Sequence, residues 1–203
     1  MAARSASARV IGIEPSPELL EHARRLAESH DNLEFRTGDG AALPVEAAAA
    51  DALVFHTVLC PVTDPAALLA EALRVLKPGG TLVVCDADFS KASLAAMEGD
   101  PLQACAAYFA ANFVTDPHLV ARLRVLVRAA GFEIADFRVA SRTVTDADGM
   151  LAWVRVCSET MVERGEIGRD LADALVGEYA RRRDGGRLYG HQPFATLIAS
   201  KPA

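Results

Sequence analysis

The sequence predicts an α/β fold built on a mostly parallel sheet, and three observations carry that prediction. Short, β-branched, apolar strands alternate with helical stretches through the first 90 residues. Those strands read as near-continuous apolar runs, the pattern of parallel strands covered on both faces. The helices begin and end on recognisable punctuation, with Ser-x or Asp-Pro at their starts and Pro-Gly-Gly after one of them. The chain has 203 residues, 51 % hydrophobic and 24 % charged, an ordinary balance for one globular domain with a core of its own.

The first strand runs from Ala8 to Glu14 and meets Pro15. Ser16 is a natural N-cap and Pro17 a natural first helical residue, so a helix follows to about Ser29, with Leu19, Leu20, Ala23, Leu26 and Ala27 on one face. Leu33 to Thr37 is the second strand and ends at Gly38-Asp39-Gly40. Asp51 to His56 is the third, followed by a helix from Asp64 to Leu76. The turn Lys77-Pro78-Gly79-Gly80 stops that helix, and Thr81 to Asp86 is the fourth strand. Strands joined this way make right-handed crossovers. Residues 90–130 then read as helical with a break at Thr115-Asp116-Pro117, and Gly131 caps the last turn. Phe132 to Ser141 is a fifth strand, 145–185 is helical again, and Phe194 to Ala199 is the last strand. Two late strands around a helical insertion predict an antiparallel edge on the parallel sheet.

Composition excludes several classes of function. A net charge of -6 argues against nucleic-acid binding, which needs a basic footprint. The acidic excess lies in the first half of the chain. No apolar run reaches the roughly 20 residues that span a bilayer, and no signal-peptide pattern opens the chain, so no membrane association is expected. Cys60, Cys85, Cys105 and Cys157 form no C-x-x-C pair; they read as reduced thiols of a cytoplasmic protein, with no metal site.

Three features fall at strand C-termini, where open α/β sheets bind ligands. Glu14, at a strand end before a helix, suits a ribose diol, or equally the helix dipole. Gly38-Asp39-Gly40 offers a carboxylate for an exocyclic amine, with glycines that let backbone approach a flat ring, or is a plain turn. It is no phosphate loop, because the next glycine and the helix are absent. Phe55-His56-Thr57 places an imidazole beside the cleft, as a base or as a satisfied buried histidine.

Taken together, these stretches resemble the class I S-adenosylmethionine-dependent methyltransferases, nearest to the small-molecule group of the ubiquinone and menaquinone C-methyltransferases. The resemblance runs from about Val10 to Phe89. V-I-G-I-E-P-S-P-E-L-L-E-H-A-R looks like the family's second strand and its acid, and G-D-G-A-A-L-P like its adenine-side segment. D-A-L-V-F-H-T-V-L-C-P-V-T-D-P-A-A-L-L-A-E-A-L-R-V-L-K-P-G-G looks like its fourth strand, helix and following turn. The resemblance implies a Rossmann-like fold with S-adenosylmethionine as cofactor. The residues it implies for the cofactor are Glu14 and Pro15 at the ribose, Gly38, Asp39 and Gly40 at the adenine, and Phe55 and His56 at the fourth strand; His56 is the candidate catalytic base. The implied partner is a small-molecule acceptor methylated on oxygen, carbon or nitrogen. Residues 8–89 would form the cofactor-binding core, 90–130 and 145–190 a helical substrate lid, and 131–141 and 194–201 the C-terminal strands of one domain. Tyr108, Phe109, Phe113, Trp153 and Tyr189 are candidates for an apolar pocket or for plain core, His118 and His191 lesser candidates for a base, and Arg181-Arg182-Arg183 a solvated helix end or a site for an acidic substrate.

The sequence departs from the family twice. Cys60-Pro61 stands where many members carry a His-His pair. The family's first strand and glycine-rich loop should precede Val10, and Met1 to Ser7 is too short and polar to supply them. That predicts a truncated N-terminus, strands 8–14 and 33–37 short of a neighbour, and a raised expectation of a homodimer. Two other accounts are a strand donated by a second chain and direct pairing of strand 8–14 with strand 51–56. The competing functions are a degenerate, non-catalytic methyltransferase-fold subunit or interaction module and, third, a nicotinamide-dependent dehydrogenase.

Overall fold

The computed structural model describes residues 8–203; Met1 to Ser7, read above as too short to form a strand, lie outside the described residues. The chain opens with β1 (Val10–Glu14), α1 (Pro17–Leu26) and β2 (Leu33–Thr37). Ser16 caps α1, its hydroxyl accepting the Leu19 amide at 3.4 Å, and Pro17 occupies the first turn as its fixed φ favours. β1 and β2 pair in parallel from Val10 opposite Leu33 to Glu14 opposite Thr37. Gly12 is required here, because a Cβ would lie 2.4 Å from the Phe35 ring across the pair. Strand 33–37 therefore has its neighbour, contrary to expectation, and that neighbour is strand 8–14.

Next come β3 (Ala50–His56), α2 (Pro65–Val75) and β4 (Leu76–Ala87), with the Asp64 carboxylate capping α2 through the Ala67 amide at 3.1 Å. The Lys77-Pro78-Gly79-Gly80 segment ends α2 as predicted, but as an extended part of β4. Gly79 takes φ +74°, and the segment is tied to the C-terminal strand by Gly79 N to Lys201 O and Lys201 N to Gly80 O, each 2.9 Å. A 3₁₀ turn (Phe89–Lys91) leads to α3 (Pro101–Phe113), α4 (Leu119–Ala129), β5 (Glu133–Val144), α5 (Leu151–Glu163), α6 (Arg169–Asp184) and β6 (Gly190–Ser200). Helix is thus absent from 92–100, and α5 and α6 are separate helices.

The strands form two sheets. β1 and β2 stand together, and the other four follow the order β3-β4-β6-β5, with β3 and β4 parallel and β6 antiparallel to both β4 and β5. The antiparallel C-terminal edge is as predicted. Strands 8–14 and 51–56 do not pair, so β1 and β3 each keep one edge without a strand neighbour among the described residues.

Leu82 and Val84 of β4 and Ala195, Leu197 and Ala199 of β6 project to one face, where Leu69 and Ala72 of α2 and Leu119, Leu123 and Val127 of α4 cover them. α4, placed by the sequence in the lid, is thus part of the sheet's own core. The opposite face is less covered than a doubly wound fold implies: Val54 is 41 % exposed, and Val83, Thr196 and Ile198 are half-buried. A second core unites α3, α5 and α6 around Leu102, Cys105, Val154, Cys157 and Tyr179. Asp100 and Arg182 pin it together, Arg182 Nη1 to Asp100 Oδ2 at 2.6 Å, while Asp100 also accepts the amides of Ala96 and Leu102. No helix among the described residues is long and apolar enough to cross a membrane.

Candidate functional site

Glu14 and Thr37 end adjacent parallel strands, so chemistry placed after either falls on one rim. The Gly38 amide continues the ladder to the Glu14 carbonyl at 3.4 Å. Glu14 is half-buried and spends one carboxylate oxygen on the Ser16 amide (2.9 Å), at the mouth of α1; its second oxygen has no partner among the described residues. Asp39 is exposed, and its Oδ1 accepts the Ala41 amide at 2.8 Å within a turn that Ala42 N closes onto Asp39 O. Pro15 is exposed and serves the entry into α1.

Glycine is needed at 38 and 40 for close packing. A Cβ at 38 would sit 2.7 Å from the Pro44 ring, and one at 40 would sit 3.0 Å from Leu68 of α2. The 38–44 segment is also stitched to α2 by Leu43 N to Glu71 (2.9 Å) and Arg74 Nη2 to Leu43 O (3.1 Å). The small β1–β2 sheet is thereby held to the body of the molecule through this loop. The structure brings Glu14, Gly38, Asp39 and Gly40 together; Phe55 and His56 lie on the other sheet.

Phe55 is only 5 % exposed and belongs to the core, so its ring packs and only its backbone reaches the rim. His56 ends β3 with an exposed ring, Nδ1 lying 3.3 Å from the Thr57 hydroxyl. Thr57 adopts φ +54°, a left-handed conformation that costs a β-branched residue about 1–3 kcal/mol. It is held there by its amide, which donates to Cys85 O at 2.7 Å. The next turn is fixed by Asp86, fully buried at the end of β4. Asp86 Oδ2 accepts the amides of Leu59 (2.9 Å) and Cys60 (3.3 Å), and Oδ1 that of Ala87 (3.0 Å). Asp86 and Thr57 escaped the sequence reading; the available signal was an acid inside an apolar strand, Val-Val-Cys-Asp-Ala.

Cys60 occupies the departure noted above. Burial, and then the Asp86 carboxylate, push its thiol well above the ordinary range, which favours the protonated form. Burial likewise pushes Cys105 up to about 11 and Cys157 up to about 12.

The lid candidates separate. Phe109 stacks on Trp153 with centroids 4.5 Å apart, Phe89 lies 5.5 Å from Trp153, and Phe113 5.4 Å from Phe109, making one aromatic ladder from the end of β4 into α3 and α5. Tyr108 instead bonds Arg164 (2.9 Å), and Tyr189 is exposed. His191 pairs with Ser141 Oγ at 2.8 Å between β5 and β6. The arginine run is solvated only in part: Arg181 is exposed and pairs with Glu178, whereas Arg182 is buried against Asp100 and Glu178, and Arg183 pairs with Asp148 and Asp184.

Comparison with known proteins fits this geometry. Residues 1–84 match the family model described as a methyltransferase domain. A demethylmenaquinone methyltransferase of Clavibacter sepedonicus is 37 % identical over 82 residues, 40 % of this chain and 34 % of that protein. An uncharacterised 37.1 kDa protein in transposon TN4556 of Streptomyces fradiae is 44 % identical over 90 residues, 44 % of this chain and 26 % of that protein. The chain therefore spans about a quarter to a third of these curated relatives. The crystal structure of a candidate methyltransferase from Bacillus halodurans superposes with a TM-score of 0.61 at 18 % identity, covering 96 % of this chain and 83 % of that one, a likeness of fold. Residues 1–84 thus match the methyltransferase-domain family model, and the described residues share the Rossmann-like α/β fold of solved methyltransferase structures.

Proposed function

We propose that the protein transfers a methyl group from S-adenosylmethionine to a small organic acceptor. The observation that carries the proposal is the pair of carboxylates, Glu14 and Asp39, after adjacent parallel strands, each with one oxygen committed to its own turn and the other open. The nucleoside half of S-adenosylmethionine presents hydroxyl and amine donors, and this acceptor set fits it. Glu14 binds the ribose diol, oriented by the Ser16 amide. Asp39 accepts from the adenine amine, in a turn whose Gly38 and Gly40 pack closely on Pro44 and Leu68. Phe55 contributes backbone and His56 the edge of the cleft at the end of β3.

When bound, the cofactor supplies a methyl group already activated on a sulfonium. The chain's own task is then to align the acceptor, exclude water and receive a proton where the acceptor has one. His56 stands at the edge of the cleft, steered by Thr57, whose strained backbone fixes where the imidazole leaves the sheet. The buried thiols, with their raised pKa values, fit a reducing, cytoplasmic setting.

Calorimetric titration with S-adenosylhomocysteine tests the reading. Binding is expected, with Glu14→Ala weakening it by about tenfold to a hundredfold, the loss of hydrogen bonds to a charged acceptor. Absence of binding by the folded protein overturns it.

A further inference from the structure

A cavity of about 270 Å³ opens beyond the end of β4. Phe89 and Ser90 of the 3₁₀ turn form one wall, Ala106, Ala107, Ala110 and Ala111 of α3 another, and His118 at the start of α4 stands at its edge. The loop that carries His118 is stitched to the segment following His56, Asp116 N to Cys60 O at 3.0 Å and Thr115 Oγ1 to Pro61 O at 2.7 Å. Ser90 N donates to Pro117 O at 3.0 Å. The cavity therefore lies beside the C-terminal ends of β3 and β4, the rim at which His56 stands.

Its chemistry is selective. Five alanine methyls, Ala92 joining the four of α3, together with Pro117 and the Phe89 ring make it apolar, and no charged side chain lines it. Gln103 is committed to the Leu94 amide and Ser90 to Asp88. The His118 imidazole makes no hydrogen bond or ion pair among the described residues, although the His118 amide is fixed by Asp116 at 3.1 Å. One polar group is thus left to address a ligand, in a space that holds one or two rings.

We infer that this cavity is the acceptor site, and that it takes a neutral, one- or two-ring aromatic molecule whose hydroxyl meets His118. The inference rests on the methyl-transfer reading. As the acceptor oxygen forms its bond to the methyl carbon, the carbon–sulfur bond breaks with its electron pair remaining on sulfur. The hydroxyl proton passes to the His118 imidazole and from there, because His118 is exposed, to water.

Calorimetry with 2-naphthol as the probe tests the site without turnover. The probe is expected to bind, and naphthalene-2-sulfonate, of the same ring size but charged, to bind at least about tenfold more weakly. Ala110→Trp fills the cavity and abolishes probe binding, with Ala107→Leu as the milder filling should the tryptophan variant not fold. His118→Ala weakens the probe by about fivefold, the factor carried by one hydrogen bond. No probe binding, equal binding by the folded filling variants, or equal binding of the sulfonate overturns the inference. S-adenosylhomocysteine titrated in parallel separates the two readings: probe binding without cofactor binding removes the methyl-transfer reading and leaves the cavity's selectivity standing.

Discussion

Thr57 and Asp86 show what single residues do at the rim of the large sheet. Thr57 is held left-handed, and Asp86 holds the following turn by accepting three buried amides. Thr57→Gly should relieve the backbone and raise stability by about 1 kcal/mol, read as a shift in the denaturant midpoint. The same change should weaken S-adenosylhomocysteine binding, because His56 then leaves the strand by a looser joint. Asp86→Ala should cost about 3 kcal/mol or more, since it orphans donors that no water reaches. These two roles were not legible in the sequence: φ at Thr57 is imposed by the amide's bond to Cys85, and the Asp86 contacts span 26 and 27 residues. The places of Glu14 and Asp39 after adjacent strands were legible, because the strand ends can be read from the local pattern.

Among the elements, α3 and α6 are joined by a buried charge pair that local sequence does not announce. Asp100 caps α3 and receives Arg182 from 82 residues away. Burial alone would raise the Asp100 pKa, but the Arg182 guanidinium and the Ala96 and Leu102 amides overcome it and hold it below the ordinary carboxylate value. A depressed folded pKa contributes stability that is complete above the unfolded value, near 3.9, and that drains away as pH falls through the folded one. The α3–α5–α6 unit should therefore lose stability below about pH 4, and Asp100→Asn should flatten that acid limb in pH-dependent melts. Arg182→Ala should cost about 3–5 kcal/mol, because it leaves the Asp100 charge buried and unpaired. Element types along the first 90 residues were readable because Ser16-Pro17 and Asp64-Pro65 mark helix starts directly. β6 was read four residues short: Gly190, His191, Gln192 and Pro193 have little strand propensity and become strand by pairing with β5.

The whole molecule divides at the gap between β1 and β3. The β1–β2 unit is half-buried along β1 and most of β2, and α1 buries Leu20 while Leu19 and Leu26 stay 58 % and 70 % exposed. β4 and β6, by contrast, carry the fully buried Leu82, Val84 and Leu197. Amide hydrogen exchange should find β4 and β6 slowest and β1–β2 faster by about a hundredfold or more, the difference between local and global opening. Saturating S-adenosylhomocysteine should slow exchange in β1–β2 most, since Glu14 and Asp39 lie at its rim. Equal protection of the two sheets without ligand would contradict this division. The sequence predicted the order of elements and a strand 8–14 short of a neighbour, which stands as the open edge of β1 among the described residues; it missed that strand 33–37 keeps its partner, because pairing between separate segments leaves no local pattern.

The aromatic ladder has an optical consequence. Trp153 is the chain's single tryptophan, stacked on Phe109 and 5.5 Å from Phe89, which walls the cavity. Its intrinsic fluorescence is therefore a built-in reporter of that cavity for guests that do not themselves emit. A guest that displaces Phe89 changes the indole's surroundings, so emission read through a titration follows occupancy with no label and no turnover.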